Sequence, residues 1–250
     1  MLDLLDDFDV TATFFVVADV LDHYPGLVKS IVERGHEIGC HGLSHACVID
    51  PISKKTLFSA EIFEKRTLEA KRKLEQVYKK EIFGYRAPNA LIGDWMFESL
   101  VKLGFRFDSS LSLNSLYRKS DVFIGYGSAP FSIEKSGGVI VEYPMAYLDL
   151  LGFKVPTSGG PILRFLGSNI VKWGLNQSLG RGHSVFYFHP IDISDEVFPK
   201  VGHGRPFYWA VKGKSVERRI CSILKYFKKK EVDLTPMGSL VSEMADKYFT

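Results

Sequence analysis

Gly35-His36-Glu37-Ile38-Gly39-Cys40-His41-Gly42-Leu43-Ser44-His45 places two imidazoles four residues apart, directly behind a short strand-like run. Neutral imidazole ligates zinc-type ions, and an i, i+4 pair entering one turn can present two ring nitrogens to a single ion. A third ligand has to come from elsewhere. Solvated and hydrogen-bonded histidine pairs share this spacing, so the flanking sequence decides what the pair means.

Outward from this stretch, apolar segments of strand length alternate with helical ones. Ala12 to Val17 reads as a buried strand, and Pro25 followed by Leu27, Val28, Ile31 and Val32 reads as a helix stopped by Gly35. Ser53 is placed to cap a long helix with Leu57, Ala60, Phe63, Thr67, Ala70, Leu74 and Val77 on one stripe, ending before Ile82-Phe83. Trp95 to Leu103 makes a helix closed by Gly104, followed by a strand from Phe105 to Asp108. Residues 111–138 have weak periodicity and read as loop or short hairpin. Val139 to Tyr143 resumes a strand, Pro156 to Gly160 a loop, Ile162 to Leu179 a helix interrupted at Gly167 and Gly174, and Ser184 to Phe188 a further buried strand. Such an order predicts an α/β fold on a largely parallel sheet, open or closed into a barrel.

At 250 residues and 46% hydrophobic composition, one domain over residues 1–250 is expected. No apolar run reaches the ~18 residues that cross a bilayer, and the N-terminus carries Asp3, Asp6 and Asp7 in place of a basic flank, so the default expectation is cytoplasmic. An upstream signal or anchor stays open. Cys40, Cys47 and Cys221 form an odd set without a CxxC pair, which argues for reduced thiols. Cys40 alternates with His41 along a strand and should point away from it. A net charge of +3 argues against nucleic acid as a partner. The basic run from Lys212 to Lys230 is interleaved with Val216, Ile220, Ile223, Leu224 and Phe227 at helical spacing, the pattern of a core-facing helix with a solvated face.

Four more blocks follow the same order along the chain: Thr11-Ala12-Thr13-Phe14-Phe15-Val16-Val17-Ala18 before the histidines, then Gly84-Tyr85-Arg86-Ala87-Pro88, Phe107-Asp108-Ser109-Ser110, and Phe186-Tyr187-Phe188-His189-Pro190. Together these resemble the polysaccharide deacetylase family, the NodB-homology domain of carbohydrate esterase family 4. The resemblance implies a distorted (β/α) barrel whose chemistry lies at the C-terminal strand ends. It implies a divalent metal, zinc first with cobalt, manganese or nickel as alternatives, held in part by His41 and His45. It makes His189 the general acid, Asp108 its charge partner and Arg86 the residue that orients a catalytic base, with Tyr85 and Pro88 next to substrate.

The family's first motif, a strand ending in an acidic pair, belongs some way before Thr11, whereas Met1 falls inside what would be the following helix. The expectation is therefore a shortened barrel lacking its first strand, its base and its metal-binding aspartate, the strand being supplied by upstream sequence or another chain. Asp6 and Asp7 copy the acidic pair in letters only, since they enter a strand instead of leaving one. Asp19 is the one substitute ligand on the correct pole.

The activity implied is metal-dependent removal of N-acetyl groups from the amino sugars of a polysaccharide or oligosaccharide, an amide C–N hydrolysis. Two alternatives compete with it: a noncatalytic remnant or carbohydrate-binding protein of the same fold, and an amidohydrolase of a small cyclic amide or imide. His36 reads as structural, while His23, His183 and His203 lack a motif. Trp95, Trp173, Tyr208 and Trp209 could stack on sugar faces, although aromatics at such spacing more often serve a core.

Overall fold

Short apolar stretches bounded by glycine and polar turns set the sheet, and the amphipathic segments between them cover it. The structure, a computed structural model, describes residues 1–53, 55–113, 129–197 and 210–241. A brief helix α1 (Leu2–Asp6) precedes β1 (Thr13–Val16), which pairs in parallel with β2 (Glu37–Cys40) after helix α2 (Leu27–Val32). Helix α3 (Ala60–Tyr78) leads to β3 (Gly84–Tyr85), and α4 (Asp94–Lys102) leads to β4 (Phe107–Asp108), both again parallel to their neighbours. β5 (Phe131–Lys135) and β6 (Gly138–Glu142) form an antiparallel hairpin, and β6 joins β4 in parallel, giving the order β1-β2-β3-β4-β6-β5. A separate hairpin of β7 (Tyr147–Leu150) and β8 (Phe153–Pro156) leads into α5 (Gly160–Leu179), the short α6 (Pro190–Ile193) and α7 (Lys214–Lys229).

The helices follow their periodicity. On α3, Phe63, Thr67, Ala70 and Leu74 are buried and Val77 is exposed, while Leu57, expected on the same stripe, lies exposed ahead of the helix. Its N-cap is Ser59, whose hydroxyl accepts from the Ile62 amide at 3.4 Å, and not Ser53, which sits in a turn closed by the Asp50 carboxylate. The closer cap wins because the turn over Asp50 already uses the amide groups around Ser53. α7 buries Val216, Ile220, Ile223, Leu224 and Phe227, as their spacing requires. At about 1.5–3 kcal/mol per fully buried large apolar side chain, those five anchor α7 far more firmly than its exposed lysines could. α5 runs through Gly167, which breaks helical geometry at φ 75°.

Residues 184–188 do not form the expected strand. Val185 makes a single parallel bridge with Met145, and the segment runs past β1 with a cavity between them. Among the described residues β1 therefore pairs only with β2, and the barrel is not closed. Near that free edge, the Met237 amide donates to Thr13 Oγ1 at 2.8 Å and the Gly238 amide to Glu37 Oε2 at 3.0 Å. No described helix is long and apolar enough to cross a membrane.

Side-chain alternation assigns the two faces of the sheet. Ile38, Cys40 and Tyr85 pack against the helices with Phe63 and Leu74, and the opposite face carries Phe15 and Phe107, edge to face at 6.4 Å. Gly39 and Gly84 make that second layer possible. A Cβ on Gly39 would lie 2.6 Å from the Phe15 ring, and one on Gly84 2.3 Å from the Phe107 ring.

Candidate active site

Of the expected residues, His41, Arg86 and His189 come together at one cavity. His41 follows β2 directly, its amide donating to the Val16 carbonyl at 2.9 Å. Its Nδ1 is 2.7 Å from the Arg86 carbonyl, so Nδ1 carries the hydrogen and Nε2 presents the lone pair. Burial, opposed by that hydrogen bond, takes the His41 pKa down to about 3. His45 stands more exposed, its ring 5.1 Å from that of His41 at 70°, and burial together with the nearby His189 lowers its pKa as well. Both shifts favour the neutral form that a metal requires.

Arg86 leaves β3 on the same face as Phe15. Its Nε donates to the Ser109 carbonyl at 2.7 Å and its Nη2 to Ser109 Oγ at 2.6 Å. The guanidinium lies 4.4 Å from the centroid of the Phe15 ring and 5.2 Å from that of Tyr187, and burial lowers its pKa. His41, Arg86 and His189 line one cavity of about 250 Å³ together with Phe15, Tyr143 and Tyr187. His183, which no motif singled out, lines it too.

The described contacts of Asp108 lie with Ser110 and not with His189. Asp108 is fully buried and accepts from the Ser110 amide at 2.9 Å and the Ser110 hydroxyl at 2.8 Å. Beside it lies Glu142, its register partner across β4 and β6 and equally buried. Burial and the Asp108 charge push the Glu142 pKa well above the carboxylate range. The carboxylate at His189 is instead Asp192, 3.4 Å from the ring Nδ1. The sequence reading missed Asp192, although His189-Pro190-Ile191-Asp192 places it at i+3, one helical turn away.

Tyr85 and Pro88 do not reach the cavity either. Tyr85 is 1% exposed, and its ring meets Phe63 and Phe105 edge to face, because alternation turns it to the helix side while Arg86 takes the other. Pro88 is buried beneath the histidine loop, its Cγ 3.7 Å from where a Cβ on Gly42 would lie. Asp19 is engaged by Lys73 at 3.6 Å, and Asp3 and Asp6 share Arg34, which precedes β2 at the far pole of the sheet. Asp19 therefore does not replace the expected carboxylate ligand. Among the described residues no group of three His, Cys, Asp or Glu side chains is arranged to hold a metal. His36 is buried and accepts the Ala12 amide at 3.3 Å. Cys40 is buried and burial raises its pKa to about 12, leaving it unsuited to ligation. His203, Tyr208 and Trp209 lie outside the described residues.

Comparison with known proteins bears directly on this arrangement. Residues 1–107 match the family model for polysaccharide deacetylase, and residues 111–235 match a domain of unknown function designated DUF3473. Family model, relatives and solved structures together support the polysaccharide deacetylase family. It is 29% identical over 106 residues to the peptidoglycan-N-acetylglucosamine deacetylase of Bacillus cereus, covering 42% of this chain and 46% of that protein. It is 31% identical over 114 residues to the peptidoglycan deacetylase of Helicobacter pylori, covering 46% of this chain and 36% of that one. The chain thus spans less than half the length of either relative. A solved structure from Mycobacterium smegmatis assigned to the polysaccharide deacetylases superposes with TM-score 0.65 at 22% identity, covering 98% of this chain and 76% of that one. A CE4 family pseudoenzyme from Bacillus anthracis gives 0.53 at 12% identity, covering 96% and 58%. At these identities the superpositions show a shared fold.

Proposed function

We propose that this deacetylase-family hydrolase removes N-acetyl groups from the amino sugars of a glycan, peptidoglycan being the first candidate substrate on the strength of its relatives. The observation that carries the reading is the convergence of His41, Arg86 and His189, from three distant segments, on one cavity with the His45 ring beside His41. Cleavage of an acetamide by water breaks the acyl C–N bond and places a proton on the departing amine. His189, half exposed at the cavity rim, is the group positioned to give that proton, and acid assistance of this kind contributes ~10²–10⁴-fold in rate. Arg86, clamped through Ser109, holds positive charge at the cavity wall.

His41 and His45 match a divalent metal, zinc first, in donor type and protonation, but they are two donors where a catalytic zinc takes three protein ligands. The described residues therefore do not complete a metal site. That shortfall favours a second reading, in which the chain binds glycan without hydrolysing it. We read the segments matched by the two family models as one working unit, because β4 of the first pairs with β6 of the second in a single sheet.

One experiment separates the readings: incubation of the protein with an N-acetylglucosamine oligomer and added zinc or cobalt, with release of acetate measured alongside binding of the oligomer. Acetate release that disappears in His189→Ala supports hydrolysis. Binding without acetate supports the second reading, and neither outcome refutes both.

A further inference from the structure

We propose that Asp192 is the positioning residue for His189, fixing the imidazole with its hydrogen on Nδ1, and that buried Arg164 fixes Asp192 in turn. The inference rests on the reading of His189 as the proton donor. The observations behind it are geometric. One oxygen of Asp192, Oδ2, accepts the His189 amide at 2.7 Å and stands 3.4 Å from ring Nδ1, so backbone and ring of the same histidine converge on a single acceptor. The other oxygen, Oδ1, is 2.9 Å from Arg164 Nη2, which also donates to the Ile191 carbonyl at 3.1 Å.

Side-chain exposure falls from 52% at His189 to 3% at Asp192 and 2% at Arg164, which marks a buried support behind an accessible ring. The backbone makes room for it at Gly160, where a Cβ would lie 2.1 Å from Asp192 Oδ1. Asp108 cannot take this part, since Ser110 engages its carboxylate and it makes no described contact with His189.

The chemical consequence follows from the two ring nitrogens. With Nδ1–H directed at Asp192, Nε2 occupies the opposite edge of the ring. When the Nε2–H bond breaks and the proton passes to the departing amine, the imidazolium becomes the neutral Nδ1–H tautomer, already paired with its acceptor. A carboxylate-to-carboxamide change at such a position leaves geometry nearly intact while favouring the wrong tautomer.

The test is long-range ¹H–¹⁵N NMR of the histidine rings in the full chain, with the His189 signals identified by their absence from His189→Gln. On the neutral ring the wild-type protein should hold mainly the Nδ1–H tautomer. Asp192→Asn should shift the ratio toward Nε2–H by about tenfold, or about 1.4 kcal/mol. Arg164→Gln should shift it the same way by less. A wild-type ring that is mainly Nε2–H overturns the proposal whatever the variants do, as does a ratio unmoved by Asp192→Asn. The same samples assayed for acetate release should show kcat falling in Asp192→Asn with KM little changed. Absence of acetate from the wild type would count against the functional reading alone, because the tautomer ratio is measured without turnover.

Discussion

Glu142→Gln tests the electrostatics beneath the site most directly. Glu142 and Asp108 are both fully buried and in register, and Arg86 is a cation facing both. Two ionised carboxylates against one guanidinium would leave a net buried negative charge, which is costly in a low-dielectric interior. Glu142 Oε1 accepts the Leu111 amide at 2.9 Å, whereas Oε2 has no donor among the described residues. A proton on Oε2 resolves both problems, giving that oxygen a hydrogen bond to Asp108 and leaving one anion for one cation.

The sign of the pH effect follows. Glu142 keeps its proton in the fold at pH values where the unfolded chain, with a pKa near 4.5, has lost it. Folding then takes up a proton, and the stability contributed by this group falls as pH rises above 4.5 toward the raised folded value. The slope of one bound proton is about 1.4 kcal/mol per pH unit. Glutamine keeps an oxygen for the Leu111 amide, offers an N–H to Asp108 and takes up no proton. The stability of Glu142→Gln relative to wild type should therefore climb between pH 5 and pH 8, by at most about 4 kcal/mol over the three units. Urea unfolding at four pH values, with m unchanged, measures this difference. Parallel stability curves, or a variant that loses ground as pH rises, would show that Glu142 is ionised in the fold and refute the shared proton. Asp108→Asn is the contrasting change. It removes the anion facing buried Arg86 and should cost about 3–5 kcal/mol.

Cobalt or zinc binding followed by calorimetry should be weak and lost in His41→Ala, yet unchanged in Asp19→Ala, because Asp19 belongs to Lys73; a loss in Asp19→Ala would restore it as a ligand. In the native protein a thiol reagent should label Cys47 and Cys221 and spare fully buried Cys40, and three equivalents of fast labelling would contradict that core placement. The edge of β1 that faces away from β2 should pair with an added extended segment or with a second chain, so sedimentation velocity should show self-association that grows with concentration. A monomer at every concentration would mean that the 183–189 segment and the contacts from Met237 and Gly238 protect that edge fully.

The sheet was legible in the sequence because its strands are short apolar runs flanked by strong punctuation. Gly35 at φ 80° and Gly104 at φ 79° end helices where the pattern placed them. The β7–β8 hairpin was not legible. Its turn residues Leu151 and Gly152 both have positive φ, at 53° and 91°, and the usual first residue of such a turn is asparagine or aspartate instead of leucine. Ser184 to Phe188 has a strand's composition but among the described residues makes only the Val185 bridge to Met145, and composition does not report whether a partner is present. The basic face of α7 and the absence of disulfides among the described residues followed from spacing and cysteine count alone.

At the site, what sequence could and could not give divides along the two faces of the sheet. Motif letters place residues along the chain, but alternation decides which of them meet. Within Gly84-Tyr85-Arg86, one step along β3 sends Tyr85 into the helix layer and Arg86 into the cavity, so neighbours in a motif end in different chemistry. Asp108 and Glu142 show the converse. They are 34 positions apart yet directly opposed across β4 and β6, and only the register reveals the pair. The same logic gives His189 its carboxylate from the next helical turn instead of from the neighbouring strand. A motif's residues keep their roles only while the register and helix phase that juxtapose them are kept, and the proposal of Asp192 as the partner of His189 rests on that helix phase, which brings its carboxylate to 3.4 Å from the ring.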